Sequence, residues 1–155
     1  MVDIIDNFLT DEEFSQAWET IKTTKFLRTG AINRVPIVLP FLKDKLCFAE
    51  DEDYFSYVTR MDEKPNASQK WHYDISSPLK LKPGQEYTEN IMQWLIYMGG
   101  DFTGGLLQVR DQDIEPLTNR FVLLDPFLEE HNVTPVVGFR YALNGFVYKY
   151  KEVPK

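Results

Sequence analysis

Between residues 90 and 149 the chain is interrupted by turn signals every few residues, and this punctuation limits the folds open to it. Gly99-Gly100, Gly104-Gly105 and Asp125-Pro126 separate short, largely apolar pieces at 90–98, 106–110, 120–124 and 139–149 that read as strands. A further piece of the same kind lies at 54–61. Several short strands with turns between them indicate a β-sandwich or barrel. One early segment has a different period. Phe14, Ala17, Trp18 and Ile21 recur at i, i+3, i+4 and i+7, which predicts a helix with one apolar stripe. Thr10 is its expected N-cap, Glu13 closes a capping box, Leu9 staples against Phe14, and the helix ends near Thr24.

At 155 residues the chain is expected to form a single domain, 1–155, with one core. The formal net charge of −7 argues against a broad phosphate-tracking surface, and so against nucleic acid as the partner. The single cysteine, Cys47, excludes an internal disulfide and a Cys-rich zinc site, and its apolar neighbours suggest a buried position. There is no positively charged start followed by an apolar run, and no apolar stretch approaches the roughly 20 residues that span a bilayer. The expectation is a cytoplasmic protein with no membrane partner; oligomeric state stays open. From Phe26 to Glu50, with Pro36 and Pro40, only short extended pieces and turns are expected, and 76–88 reads as a long loop.

The chain has two histidines, His72 and His131. His72 belongs to Trp71-His72-Tyr73-Asp74, and on an extended strand residues i and i+2 face the same way. An imidazole nitrogen and a carboxylate oxygen can therefore reach one point, and His131 is far enough along the chain to return as a third ligand. Two His and one carboxylate, with the opposite positions open, form the facial triad of non-heme Fe(II) oxygenases. Alone, His-x-Asp is a weak signal.

Taken in order, four motifs resemble the Fe(II)- and 2-oxoglutarate-dependent dioxygenases, particularly their prolyl-4-hydroxylase-like branch. They are the His-x-Asp; Tyr97-Met98 followed by Asp101 and Gly104-Gly105; 119–124 followed by His131-Asn132-Val133; and Arg140 to Phe146. His131 and Arg140 lie nine residues apart, as in that family. The resemblance covers roughly 57–146 and implies a double-stranded β-helix (a jelly roll, cupin-like) with the helix packed outside. It also implies that His72, Asp74 and His131 hold Fe(II), and that Arg140, helped by Tyr97, grips the far carboxylate of 2-oxoglutarate. O2 is the other co-substrate, ascorbate is a candidate reductant, and succinate and CO2 leave as a C–H bond is hydroxylated. A permanent planar cation suits that carboxylate.

By strand alternation Gln93 and Leu95 share the face of Tyr97, and Ala142 and Asn144 share the face of Arg140, so Gln93 and Asn144 are further candidates for the co-substrate pocket. Trp71, Trp94 and Tyr73 are expected to pack away from the metal face. The family's tyrosine contact from the strand before His-x-Asp falls on Met61, with Tyr57 and Thr59 as displaced candidates, and the usual hydroxyl residue after the arginine is Ala142. The substrate is expected to be a prolyl or other residue of a peptide or protein, or a small molecule. Arg28, Arg34 and the 76–88 segment either line its mouth or form ordinary solvated loops. The alternatives are a jelly roll that binds metal without turnover and a nucleic-acid demethylase. The second is disfavoured because position 146, where that branch has a further arginine, is Phe146.

Overall fold

The first helix starts where its cap requires. In the computed structural model, which describes residues 2–26, 32–46, 52–61, 71, 85–87, 92–110, 112–124 and 130–152, Glu13 N–H donates to Thr10 Oγ1 at 3.1 Å. Thr10 N–H donates in return to Glu13 Oε1 at 2.9 Å. Two of the donors orphaned at a helix start are thus satisfied reciprocally. The strand β1 (Asp3–Ile5) precedes this helix, α1 (Asp11–Thr23). After it come β2 (Ile32–Pro36), α2 (Pro40–Lys45) and β3 (Glu52–Met61). The middle of the chain supplies β4 (Gln85–Tyr87), β5 (Met92–Gly99), β6 (Phe102–Gly104), β7 (Leu107–Val109) and β8 (Gln112–Ile114). Last are β9 (Phe121–Leu124), β10 (His131–Val133), β11 (Val136–Gly138) and β12 (Arg140–Glu152).

The strands form two layers. Among the described residues the major sheet runs β1-β9-β5-β12-β3-β2, antiparallel throughout, with β4 on the far end of β12. Opposite it lie β10-β7-β8 and β11-β6. Strand alternation divides the major sheet's side chains between two cores. Val58, Trp94, Ile96, Phe121 and Leu143 face outward and bury themselves under Ala17, Ile21 and Leu42 of the two helices. Met61, Tyr97, Val122, Leu124 and Ala142 face inward and meet Leu107, Val109, Val133 and Val136 of the smaller sheets. This is the expected jelly roll with α1 on its outside.

The chain's start is fastened by polar contacts. Asn119, at φ +64°, accepts from Leu9 N–H at 2.8 Å and donates to Leu9 O at 2.9 Å. Asn is one of the few residues that tolerate this left-handed backbone. Arg120 Nε donates to Asp6 Oδ1 at 2.6 Å, and Nη2 to Asp6 Oδ2 at 3.1 Å.

Several boundaries differ from the sequence reading. Helix α2 stands where only extended pieces and turns were expected; Pro40 at its first turn, pre-set in φ, was the legible signal. Residues 85–87 form β4 inside the expected loop because β12 runs on to Glu152 and offers them an edge. The two-stranded pairing of β6 with β11 and the polar strand β8 were not foreseen. Trp71, expected to pack, is 46% exposed. Arg28, Cys47, Tyr73 and the remainder of 76–88 lie outside the described residues. No helix among the described residues is long and apolar enough to cross a membrane.

Leu143 is fully buried between the helices and the sheet. Leu143→Ala is expected to lower the unfolding free energy by about 2–5 kcal/mol, measured by urea denaturation. Arg120, through its hydrogen bond first and its charge second, holds the Asp6 carboxyl below its ordinary pKa. A lowered folded-state pKa means a contribution present at neutral pH and lost as pH falls through that value. The urea midpoints of the wild type and Asp6→Asn should therefore converge in acid, while a gap that persists unchanged would contradict this.

Candidate active site

The inner face of the major sheet carries the polar groups in register. On β12, Arg140 lies opposite Met61 of β3, Ala142 opposite Thr59, and Asn144 opposite Tyr57. On the other side of β12, Ala142 faces Tyr97 and Asn144 faces Leu95, with an irregularity in register between Tyr141 and Ala142. Bulges of this kind are common beside active sites, where they re-aim a side chain. Here Tyr141 turns outward, edge-on to Trp18 with ring centroids 5.4 Å apart, while Arg140 turns in.

Between the layers lies a cleft of about 520 Å³ of atom-free space, its open mouth included. Arg140, Gln93, Leu95 and Asn144 line it from the major sheet, and His131 and Val133 from β10. His131 reaches it because β10 pairs with β7, His131 opposite Val109, which points the imidazole across at the major sheet.

Arg140 is the dominant charge. It is 7% exposed, and Nη1 donates to Gly105 O at 2.9 Å. Its guanidinium carbon lies 5.3 Å from the centroid of the Tyr97 ring, within reach of a cation–π contact. Nε has no hydrogen-bond partner, and among the described residues no carboxylate pairs with the group. Burial lowers the Arg140 pKa, and Tyr97 opposes that shift. An arginine starting so high stays charged at any working pH. An unpaired buried ion costs several kcal/mol, a cost that an anion bound beside it would offset. Tyr97 is 1% exposed, and burial, partly offset by Arg140 and Arg120, raises its pKa. Its phenol therefore keeps its proton and remains a hydrogen-bond donor.

Further from Arg140, Thr59 Oγ1 and Asn144 Oδ1 share a 2.7 Å hydrogen bond. Gln93 Oε1 is buried without a partner, an acceptor aimed into the same cleft. Arg34 and Met61 complete the lining from β2 and β3. Of the positions singled out in the sequence, Arg140, Gln93, Asn144 and His131 thus line one cavity, and Tyr97 lies buried against Arg140 without lining it. Met61 occupies the place of the family's tyrosine, and Thr59 supplies a hydroxyl two residues earlier on the same face. Tyr57 does not line the cleft. His72 and Asp74 lie outside the described residues. Among the described residues no three His, Cys, Asp or Glu side chains gather to hold a metal. His131, 4% exposed, is the expected ligand whose position the structure gives.

The glycine pair preceding β7 makes room for the cation. Gly105 has φ +73°, and a Cβ there would come within 3.0 Å of both Arg140 Nη1 and Val136 Cγ2. At Gly104, φ +81°, a Cβ would collide with Pro135 O. Both positions demand glycine's freedom.

Comparison with known proteins agrees with this geometry. The family model for the 2OG-Fe(II) oxygenase superfamily matches residues 56–148, more than half of the chain. No curated protein sequence matches. Among solved structures, the viral collagen prolyl hydroxylase of Paramecium bursaria Chlorella virus-1, in its 2OG complex, aligns with TM-score 0.65 at 18% identity, over 97% of this chain and 96% of that one. A Pseudomonas putida prolyl-4-hydroxylase aligns with TM-score 0.67 at 15% identity, covering 96% and 92%. HygX from Streptomyces hygroscopicus, with nickel and 2-oxoglutarate bound, aligns with TM-score 0.68 at 12% identity, covering 96% and 82%. At such identities these likenesses establish the fold.

Gly105→Ala combines a left-handed backbone, costing about 1–2 kcal/mol for a residue with a Cβ, with displacement of the guanidinium. Calorimetry should show a lower melting temperature and a several-fold weaker affinity for 2-oxoglutarate. Unchanged affinity would mean that Gly105 does not seat Arg140.

Proposed function

The chain belongs to the 2OG-Fe(II) oxygenase superfamily, and from this we propose that it hydroxylates a prolyl or other residue of a peptide, or a small molecule, releasing succinate and CO2. It is a 2-oxoglutarate-dependent dioxygenase whose cofactor is Fe(II). The observation that carries the site assignment is the buried guanidinium of Arg140 with Nε unpartnered. It fits the far carboxylate of 2-oxoglutarate, a planar anion matched to arginine's fork. Tyr97 donates its phenolic proton to the same group, and its ring supports the guanidinium. His131, with His72 and Asp74, holds the metal. Bound Fe(II) brings 2-oxoglutarate and O2 together and supplies the oxidising power for breaking a C–H bond.

The chain's own residues do the rest. Arg140 fixes the orientation of the co-substrate from the deep end of the cleft. Met61, Leu95, Val133 and Ala142 add apolar surface among the polar groups of the lining, which strengthens the ion pair beside them. Thr59, Asn144 and Gln93 supply hydrogen-bonding groups beyond the co-substrate's end. The prolyl hydroxylases among the structural neighbours support a peptide substrate, and HygX, solved also with hygromycin B bound, supports a small molecule.

Arg140→Met tests the assignment with a readout besides turnover. Removing an unpaired buried charge should keep or raise stability without ligand. With Mn(II) present, saturating 2-oxoglutarate should raise the wild-type melting temperature by several degrees and leave the variant's unmoved. A variant still stabilised by 2-oxoglutarate removes Arg140 from this role. His131→Ala is expected to abolish Fe(II)-dependent succinate formation, and full activity in that variant would end the triad assignment.

A further inference from the structure

One cleft-lining charge is left over once the co-substrate has been placed. Arg34 lies on β2, the edge strand of the major sheet, opposite Thr59 of β3. It is exposed, yet its side chain lines the cleft. Among the described residues it makes no hydrogen bond or ion pair. Two strand spacings, roughly 10 Å, separate it from β12, so the two guanidinium groups address the cleft from different places: Arg140 from the buried end and Arg34 from the rim. Resting on the reading above, 2-oxoglutarate has no charge to spare for Arg34. Its far carboxylate goes to Arg140, and its other end goes to the metal.

Composition makes the rim unusual. The chain carries 24 Asp and Glu against 17 Lys and Arg, yet no described residue lining the cleft is acidic. A molecule with net charge −7 repels anions at long range. A cationic rim reverses that repulsion locally. We infer that Arg34 is a specificity residue that recognises a carboxylate on the substrate, close to the carbon to be oxidised. The partly satisfied amides behind it complete the recognition surface: Gln93 Oε1 accepts a hydrogen bond from the same substrate. A carboxylate of this kind has two sources, an acidic side chain in a peptide or the acid group of a small molecule.

The test uses matched probes with the Fe(II)-loaded protein, 2-oxoglutarate and O2. One arm holds end-blocked peptides that differ only in Glu against Gln or Asp against Asn. The other holds N-acetylated amino acids as free acids and as their primary amides. Succinate release above the rate without probe, and a mass gain of one oxygen in the probe, are measured. The carboxylate member of at least one pair should be preferred by about ten-fold, the usual weight of a charge-assisted hydrogen bond. Arg34→Gln should bring that ratio near one, and Arg34→Glu should reverse it. Lys43→Gln, an equal change of charge on α2 away from the cleft, should preserve the ratio. The arm that responds identifies the source of the carboxylate. Equal use of acid and amide, no response to any carboxylate probe, or a preference that survives Arg34→Gln overturns the inference. So does an Arg34→Gln variant that raises the 2-oxoglutarate requirement while keeping the ratio, because the residue would then serve the co-substrate. Absence of succinate under every condition is a different failure, that of the oxygenase reading itself.

Discussion

A guanidinium enclosed between two sheets, with one backbone carbonyl and one aromatic ring for company, sets the terms for the rest of this molecule. Arg140 is held by Gly105 O and by the face of Tyr97, and neither neutralises it. Such a charge is costly to bury, and it stays in place because the surrounding packing fixes it. The glycines before β7 and the irregular register between β12 and β5 read as conditions for keeping that one cation in place.

The two-layer architecture follows from the same alternation that built the pocket. The outward residues of β3, β5, β9 and β12 are a continuous apolar surface, and α1 and α2 cover it. The inward residues are mixed, apolar toward Leu107, Val109 and Val136 and polar where the sheets diverge. Stability and chemistry are thus assigned to opposite faces of one sheet. Trp94 and Gln93, adjacent in sequence, illustrate the division: the first is buried against the helices, the second opens on the cleft.

The smaller sheets contribute less surface but carry His131. Short strands such as β10 have little intrinsic preference to form. Pairing with β7 and the hydrogen bonds between Leu106 and Thr134 hold β10 in register. A one-residue slip there would turn the imidazole out of the cleft. The acidic character of the whole chain and the basic character of its described cleft are likewise opposed, and only folding separates them in space.

Much was legible from the chain alone because it depends on local chemistry or on period. Thr10 and Glu13 fix the start of α1 through their own hydrogen bonds, and the period-2 alternation along 93–97 and 140–144 places Gln93, Tyr97, Arg140 and Asn144 on one face. The order of motifs indicated the family. What the sequence did not yield is whatever depends on a distant partner. Strand β4 exists because β12 extends past its other neighbours, β6 because β11, far along the chain, presents a free edge, and Arg34 lines the cleft because β2 pairs with β3 in one register. Backbone hydrogen bonding between strands is nearly blind to side chains, so residue identity determines which face a strand shows, and only the assembled sheet determines which strand it meets.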